Sequence, residues 1–71
     1  AKEGGVAPTI LNAANEVAVS RFLAGKAGFM DIPKIVEDAL KHVPRQQLTL
    51  SALYRADELA RKRAAAWPER P

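Results

Sequence analysis

The chain has no cysteine. That absence excludes a disulfide-stapled secreted scaffold and any thiolate-ligated zinc or iron–sulfur centre, and it leads us to expect a reducing compartment, the cytoplasm. No apolar run approaches the roughly 18 residues of a membrane span, and no basic stretch followed by an apolar one opens the chain, so neither a span nor a leader is expected. Strands of period two are missing, as is any internal repeat, and low complexity is confined to Ala64-Ala65-Ala66. Charge of one sign is also in short supply: eleven Lys and Arg against eight Asp and Glu leave a net charge of only +3. That is a weak field, whereas nucleic-acid modules concentrate positive charge on one face.

What is present is small and alanine-rich. Seventy-one residues make at most one domain, and of the 48% that are apolar, fourteen residues are alanine. The remaining larger apolar side chains, among them two Phe, one Tyr and one Trp, must offset an ordering cost of about 1.5 kcal/mol per residue. The chain opens without Met at Ala1-Lys2-Glu3-Gly4-Gly5. Residues 1–7 therefore read as a residual linker, the tail of a preceding element in something longer.

An all-α class follows from the periodicity. Pro8 to Ala24 contains no breaker after Pro8, which suits a first helical turn, and Gly25 suits the left-handed position past a helix end. Leu11, Ala14, Ala18 and Phe22 form one stripe at spacings of three and four, with Ile10 and Val17 beside it. A helix apolar around most of its circumference is expected to be central. Truncating Phe22 to Ala in such a core would cost about 3–5 kcal/mol.

A second helix is predicted over 31–43, with Asp31 as N-cap, Pro33 in the first turn and Pro44 as the stop. Ile32, Ile35, Val36, Ala39, Leu40 and Val43 make a one-faced amphipathic pattern, and Lys34 with Asp38, and Glu37 with Lys41, are spaced to pair outside it. Beyond the polar link through Gln47 a break is expected. The stripe Leu50, Leu53, Tyr54 continued by one turn would place Asp57 on the apolar face, whereas an N-cap role suits that carboxylate. The pattern thus predicts helices over about 49–54 and 57–66, pairs of Asp57 with Arg61 and Glu58 with Lys62, and a frayed tail over 67–71. The sum is a small bundle of three to four helices forming a single domain.

Candidate chemistry is sparse. Asn12, Asn15 and Glu16 share one face of a largely apolar helix, which suggests either a ligand site or, more in keeping with buried amides, bonds to the ends of neighbouring helices or a loop; the sequence leaves open whether they face the core or a missing domain. One carboxylate without a nearby acid, His or Cys is too little for a metal. Gly25-Lys26-Ala27-Gly28 matches the G-x-x-G loop of an RNA-binding module, but the strands that module needs are absent. The plainer reading is a helix stop with Phe29 and Met30 tucked into the core. Arg61, Lys62 and Arg63, with Arg55, read as a solvated face paired with acids. His42 sits near a helix end on the outer side, where an imidazolium favours the helix dipole. Ser20, Thr49 and Ser51 lack a readable base.

The run Leu11-Asn12-Ala13-Ala14-Asn15-Glu16, followed by Phe22-Leu23 and Phe29-x-Asp31-Ile32, resembles the C-terminal domain of 1-deoxy-D-xylulose 5-phosphate reductoisomerase. The resemblance is strong from Gly4 to Leu40 and looser from Leu48 to Arg61, where Ser51 and Ala52 stand at positions at which the family often has acids. It implies a helical bundle packed on a catalytic part. It also implies a cytoplasmic homodimeric parent enzyme that uses NADPH and Mg or Mn to isomerise and reduce its substrate in non-mevalonate isoprenoid synthesis. The family's nucleotide loop, metal carboxylates, phosphate-binding residues and mobile Trp loop all precede this segment. Hence no catalytic, cofactor-binding or metal-binding residue is expected here, and Trp67 does not correspond to the loop tryptophan. Neither nucleic acid nor membrane is an expected partner of the segment; the alternative is a stand-alone basic helical module that binds nucleic acid or a partner protein.

Overall fold

The computed structural model describes residues 5–45 and 47–69. Three helices account for the described fold: α1 (Ala7–Leu23), α2 (Asp31–His42) and α3 (Leu50–Ala65). α1 lies between the other two and packs along both, while α2 and α3 touch each other far less. The chain is thus all-α, as the periodicity implies.

Local chemistry explains each boundary of α1. Pro8 lies in its first turn, where a missing N–H costs nothing. At the far end Gly25 adopts φ 79°; its N–H donates to the Phe22 carbonyl at 3.0 Å, and the Lys26 N–H donates to the Arg21 carbonyl at 2.8 Å. This is the paired bonding of a Schellman stop, which needs a residue without Cβ at the left-handed position.

The entry to α2 differs from the expectation. Asp31 is already helical, and its carboxylate reaches back to accept the Gly28 N–H at 2.8 Å, while its own N–H donates to the Gly28 carbonyl at 3.0 Å. The residue closes the turn that precedes the helix, and does not cap the helix from outside. α2 stops where Val43 turns extended at φ −80°, ψ 125°, because a residue before proline is pushed out of the helical region by the Pro44 ring.

The third helix is continuous through Asp57, and the break expected there does not occur. Its buried stripe is Ala52, Ala56, Ala60 and Ala64, not Leu50 and Tyr54, which are exposed. On the true register Asp57 falls at the margin of the buried face, where it bonds Arg61, so the helix accommodates it. Thr49 caps the start, its hydroxyl accepting the Ala52 N–H at 3.1 Å.

The core is small side chains meeting small side chains. Ala13, Ala14 and Ala18 of α1 and the alanine stripe of α3 share one buried cluster with Ile10, Ile35, Val36, Ala39 and Val43. Val6, expected in a linker, is one of the most buried residues of the chain, so the domain begins at least that early. Residues 1–4 of the expected linker, and residues 70–71 of the expected frayed tail, lie outside the described residues; within that tail Trp67 packs against the core and Glu69 pairs with Lys26 at 3.8 Å. Phe22 is not a core residue: it is 37% exposed and meets Phe29 edge-on with ring centroids 5.7 Å apart. Phe29 and Met30, expected inside, are exposed as well. A stripe centred on Ile10 and Ala14 leaves Leu11, roughly 100° from Ile10, and Phe22, roughly 80° from Ala14, at or beyond its edge.

Candidate functional site

Asn12, Asn15 and Glu16 are all exposed. Their exposure corrects the expectation that these side chains are buried and bonded to the ends of neighbouring helices or a loop; of the two orientations the sequence leaves open, toward the core or toward a missing domain, they do not take the first. Among the described residues neither asparagine side chain makes a hydrogen bond within the domain, whereas Glu16 Oε1 accepts from Arg61 Nη2 at 2.7 Å. Arg61 also donates through Nε to both Asp57 oxygens, at 3.2 and 3.0 Å, so one guanidinium ties α1 to α3. Hydrogen bonds donated to Glu16 first, then to Asp57, raise the Arg61 pKa further above its already high value.

Arg63 is similarly engaged. Its Nε and Nη2 meet the two Asp38 oxygens at 2.6 and 3.2 Å, joining α3 to α2. Those hydrogen bonds hold the Asp38 carboxyl below its ordinary range; burial is the next largest influence and opposes them, and the charges of Arg63 and then His42 lower it further. His42 Nδ1 lies 3.1 Å from Asp38 Oδ1 and 2.9 Å from the Asp38 backbone carbonyl. Asp38 thus serves a neighbouring helix; among the described residues no ion pair joins it to Lys34. The pairs of Asp57 with Arg61 and Glu58 with Lys62, by contrast, form as their spacing implies. Beside the Asp38 cluster an open groove of about 570 Å³ runs between the ends of α2 and α3, with Trp67 and Leu59 on its floor.

Arg21 carries a role that its sequence position did not announce. Its guanidinium donates to the Ala65 carbonyl at 3.0 Å and to the Trp67 carbonyl, capping the end of α3 from α1. The last carbonyls of a helix have no partner within it, and a cation there is favoured by the dipole. The only hint in the sequence is an arginine at the angular position of Ile10 and Ala14.

The glycine loop is used by the backbone. Gly25 supplies the Schellman turn and Gly28 donates to Asp31, so the G-x-x-G pattern is accounted for by a helix stop and a helix start. Among the described residues no group of three or more His, Cys, Asp or Glu could hold a metal. None of them forms a strand either, so the strand–turn–helix that places a dinucleotide-binding glycine loop has no counterpart among them. No helix of the described residues is long and apolar enough to cross a membrane.

What remains is one face of α1. Leu11, Asn12, Asn15, Phe22 and Leu23 all point outward, and Phe29 and Met30 extend the surface beyond the helix end. Of the family motif, Leu11, Asn12, Asn15, Phe22, Leu23 and Phe29 lie on this surface, whereas Ala13 and Ala14 are buried in the core. The family described as "DXP reductoisomerase C-terminal domain" matches residues 1–63. The chain belongs to this DXP reductoisomerase C-terminal domain family. A 1-deoxy-D-xylulose 5-phosphate reductoisomerase of Xanthomonas campestris pv. campestris is 58% identical over 62 residues, covering 86% of this chain and 16% of that protein. The enzyme of the same name from Methylobacillus flagellatus is 49% identical over 67 residues, 93% of this chain and 17% of its own length. That of Pseudomonas savastanoi pv. phaseolicola is 46% identical over 71 residues, 99% and 18% respectively. The chain spans about one-sixth of the length of the curated relatives it matches. No solved structure matches it.

Proposed function

We propose that this chain is the C-terminal helical domain of an enzyme that isomerises 1-deoxy-D-xylulose 5-phosphate and reduces it with NADPH to 2-C-methyl-D-erythritol 4-phosphate, a step of non-mevalonate isoprenoid synthesis. The family match over residues 1–63 carries this reading, and relatives bearing the reductoisomerase name support it. Within that enzyme the domain is structural. It holds no catalytic, cofactor-binding or metal-binding residue; NADPH and Mg or Mn belong to the upstream part, where the family's motifs lie. The parent is a cytoplasmic homodimer, and the partners of this domain are the catalytic and nucleotide-binding domains of its own chain.

A nucleic-acid module is the less favoured reading. Arg61 and Arg63 spend their guanidinium groups on Glu16, Asp57 and Asp38, and a phosphate would have to displace those carboxylates.

The test is the intact mass of the native protein, captured from its source cells with an antibody to this segment. A mass several times 7.7 kDa is expected, together with NADPH binding by that larger chain and none by the 71-residue segment. A native mass near 7.7 kDa, or micromolar NADPH binding by the segment alone, would remove the proposal.

A further inference from the structure

The charges of this domain are distributed unevenly. On one side of α1 the exposed Leu11, Asn12, Asn15, Phe22 and Leu23, with the half-buried Val19 among them, carry no charge, whereas the outward faces of α2 and α3 carry Lys34, Glu37, Lys41, Arg55, Glu58 and Lys62. Glu16 sits at the margin of the α1 face, turned to Arg61. Leu23 is 77% exposed, and Phe29 and Met30, at 66% and 67%, continue the surface past the Schellman turn. Depletion of charge combined with Phe and Met is the composition of an interface centre, and a contiguous apolar surface on a small domain marks an interaction site. The two asparagines add hydrogen-bonding groups that the domain itself does not use, and such groups confer register on an otherwise apolar contact.

We infer that the outer face of α1, with the Phe29-Met30 turn, is the surface by which this domain docks on the upstream part of its own polypeptide. The inference rests on the proposed function and deepens it by assigning the interface. The occupant follows from length: about five-sixths of each curated relative lies outside the region this chain matches, and the matched family is the C-terminal domain. A covalently joined partner is present at an effective concentration far above that of a second copy. The complementary surface on the upstream part is apolar, with backbone or side-chain groups placed to pair the Asn12 and Asn15 amides.

Hydroxyl-radical footprinting of the native full-length protein tests this, with oxidation of Met30 and Phe29 read against the same protein unfolded in urea. Protection of several-fold that persists on dilution is expected, and Leu23→Lys should raise Met30 labelling severalfold while the helical circular dichroism holds. Lysine at that position suits the end of α1 and replaces a side chain with little packing to lose. Met30 labelled as fast as in the unfolded chain would overturn the assignment. So would protection that disappears on dilution, which would give the face to a second copy. Protection unmoved by Leu23→Lys would overturn it too. The intact mass of the same sample separates the failures: a large chain with unprotected Met30 removes only the docking face, and a chain near 7.7 kDa removes the parent-enzyme reading with it.

Discussion

Ile10 and Phe22 illustrate how the value of a side chain depends on which way it points. Both belong to the same helix, and the larger of the two would be expected to matter more. Ile10 is fully buried, with 0% exposure, against the α1–α2 core, while Phe22 faces outward onto Phe29. Ile10→Ala should cost about 2–5 kcal/mol, which is comparable to the figure of about 3–5 kcal/mol that the core of so small a domain rarely exceeds. Phe22→Ala should cost the domain less than about 1.5 kcal/mol. Urea titration followed by circular dichroism separates the two: equal losses would mean that the stripe is centred on Phe22 after all. The hydrophobic pattern favours the stripe through Phe22 with Ile10 beside it, and the structure reverses that choice, because α1 is apolar on most of its circumference and more than one stripe is compatible with it.

For α3 the deciding feature is an alanine repeat. Ala52, Ala56, Ala60 and Ala64 recur every fourth residue, and this stripe of small side chains is the buried face of α3, which packs along α1. Sequence reasoning that weighs side chains by size favours Leu50 and Tyr54 and so places Asp57 on the wrong face; close packing of small residues reverses the choice. Ala60→Leu should therefore destabilise by about 1–3 kcal/mol through overpacking, although leucine is nearly as good a helix former. A thermal midpoint that rises on this substitution would show the seam to be loose. At the other end, Thr49→Ala removes the hydroxyl that accepts the Ala52 N–H and should cost about 1 kcal/mol, detected as faster amide exchange confined to the first turn of α3. The boundaries of α1 and α2 were far more legible, because glycine and proline act through their own backbone constraints, whatever surrounds them.

Across the whole molecule, the thin α2–α3 contact is reinforced by one ion pair. Arg63 lowers the folded-state pKa of Asp38 from its ordinary value of 3.8. A carboxyl depressed in the folded state stabilises it at pH values above the unfolded pKa, and that contribution fades as pH falls through the folded value. Asp38→Asn should lower the thermal midpoint at neutral pH, and the gap from the parent sequence should close as the pH is taken below about 3.8. The pair is open to solvent, with 44% exposure at Arg63, so added salt should narrow the gap as well. A difference independent of both pH and salt would assign the effect to packing and not to charge.

Helix class, the stops at Gly25 and Pro44, the pairs within α3 and the family motif from Leu11 to Glu16 are all written locally. Each depends on residues within about one helical turn, so a linear reading reaches them. The face of α1 that is buried, the continuity of α3 through Asp57 and the links of Arg21, Arg61 and Arg63 to other helices are not local. They follow from the rotation at which helices settle so that small residues meet and the last carbonyls of α3 find Arg21. That rotation is set by close packing between elements distant in the chain. It leaves Asn12 and Asn15 outside the domain's own hydrogen bonds, on the face where a second surface can use them.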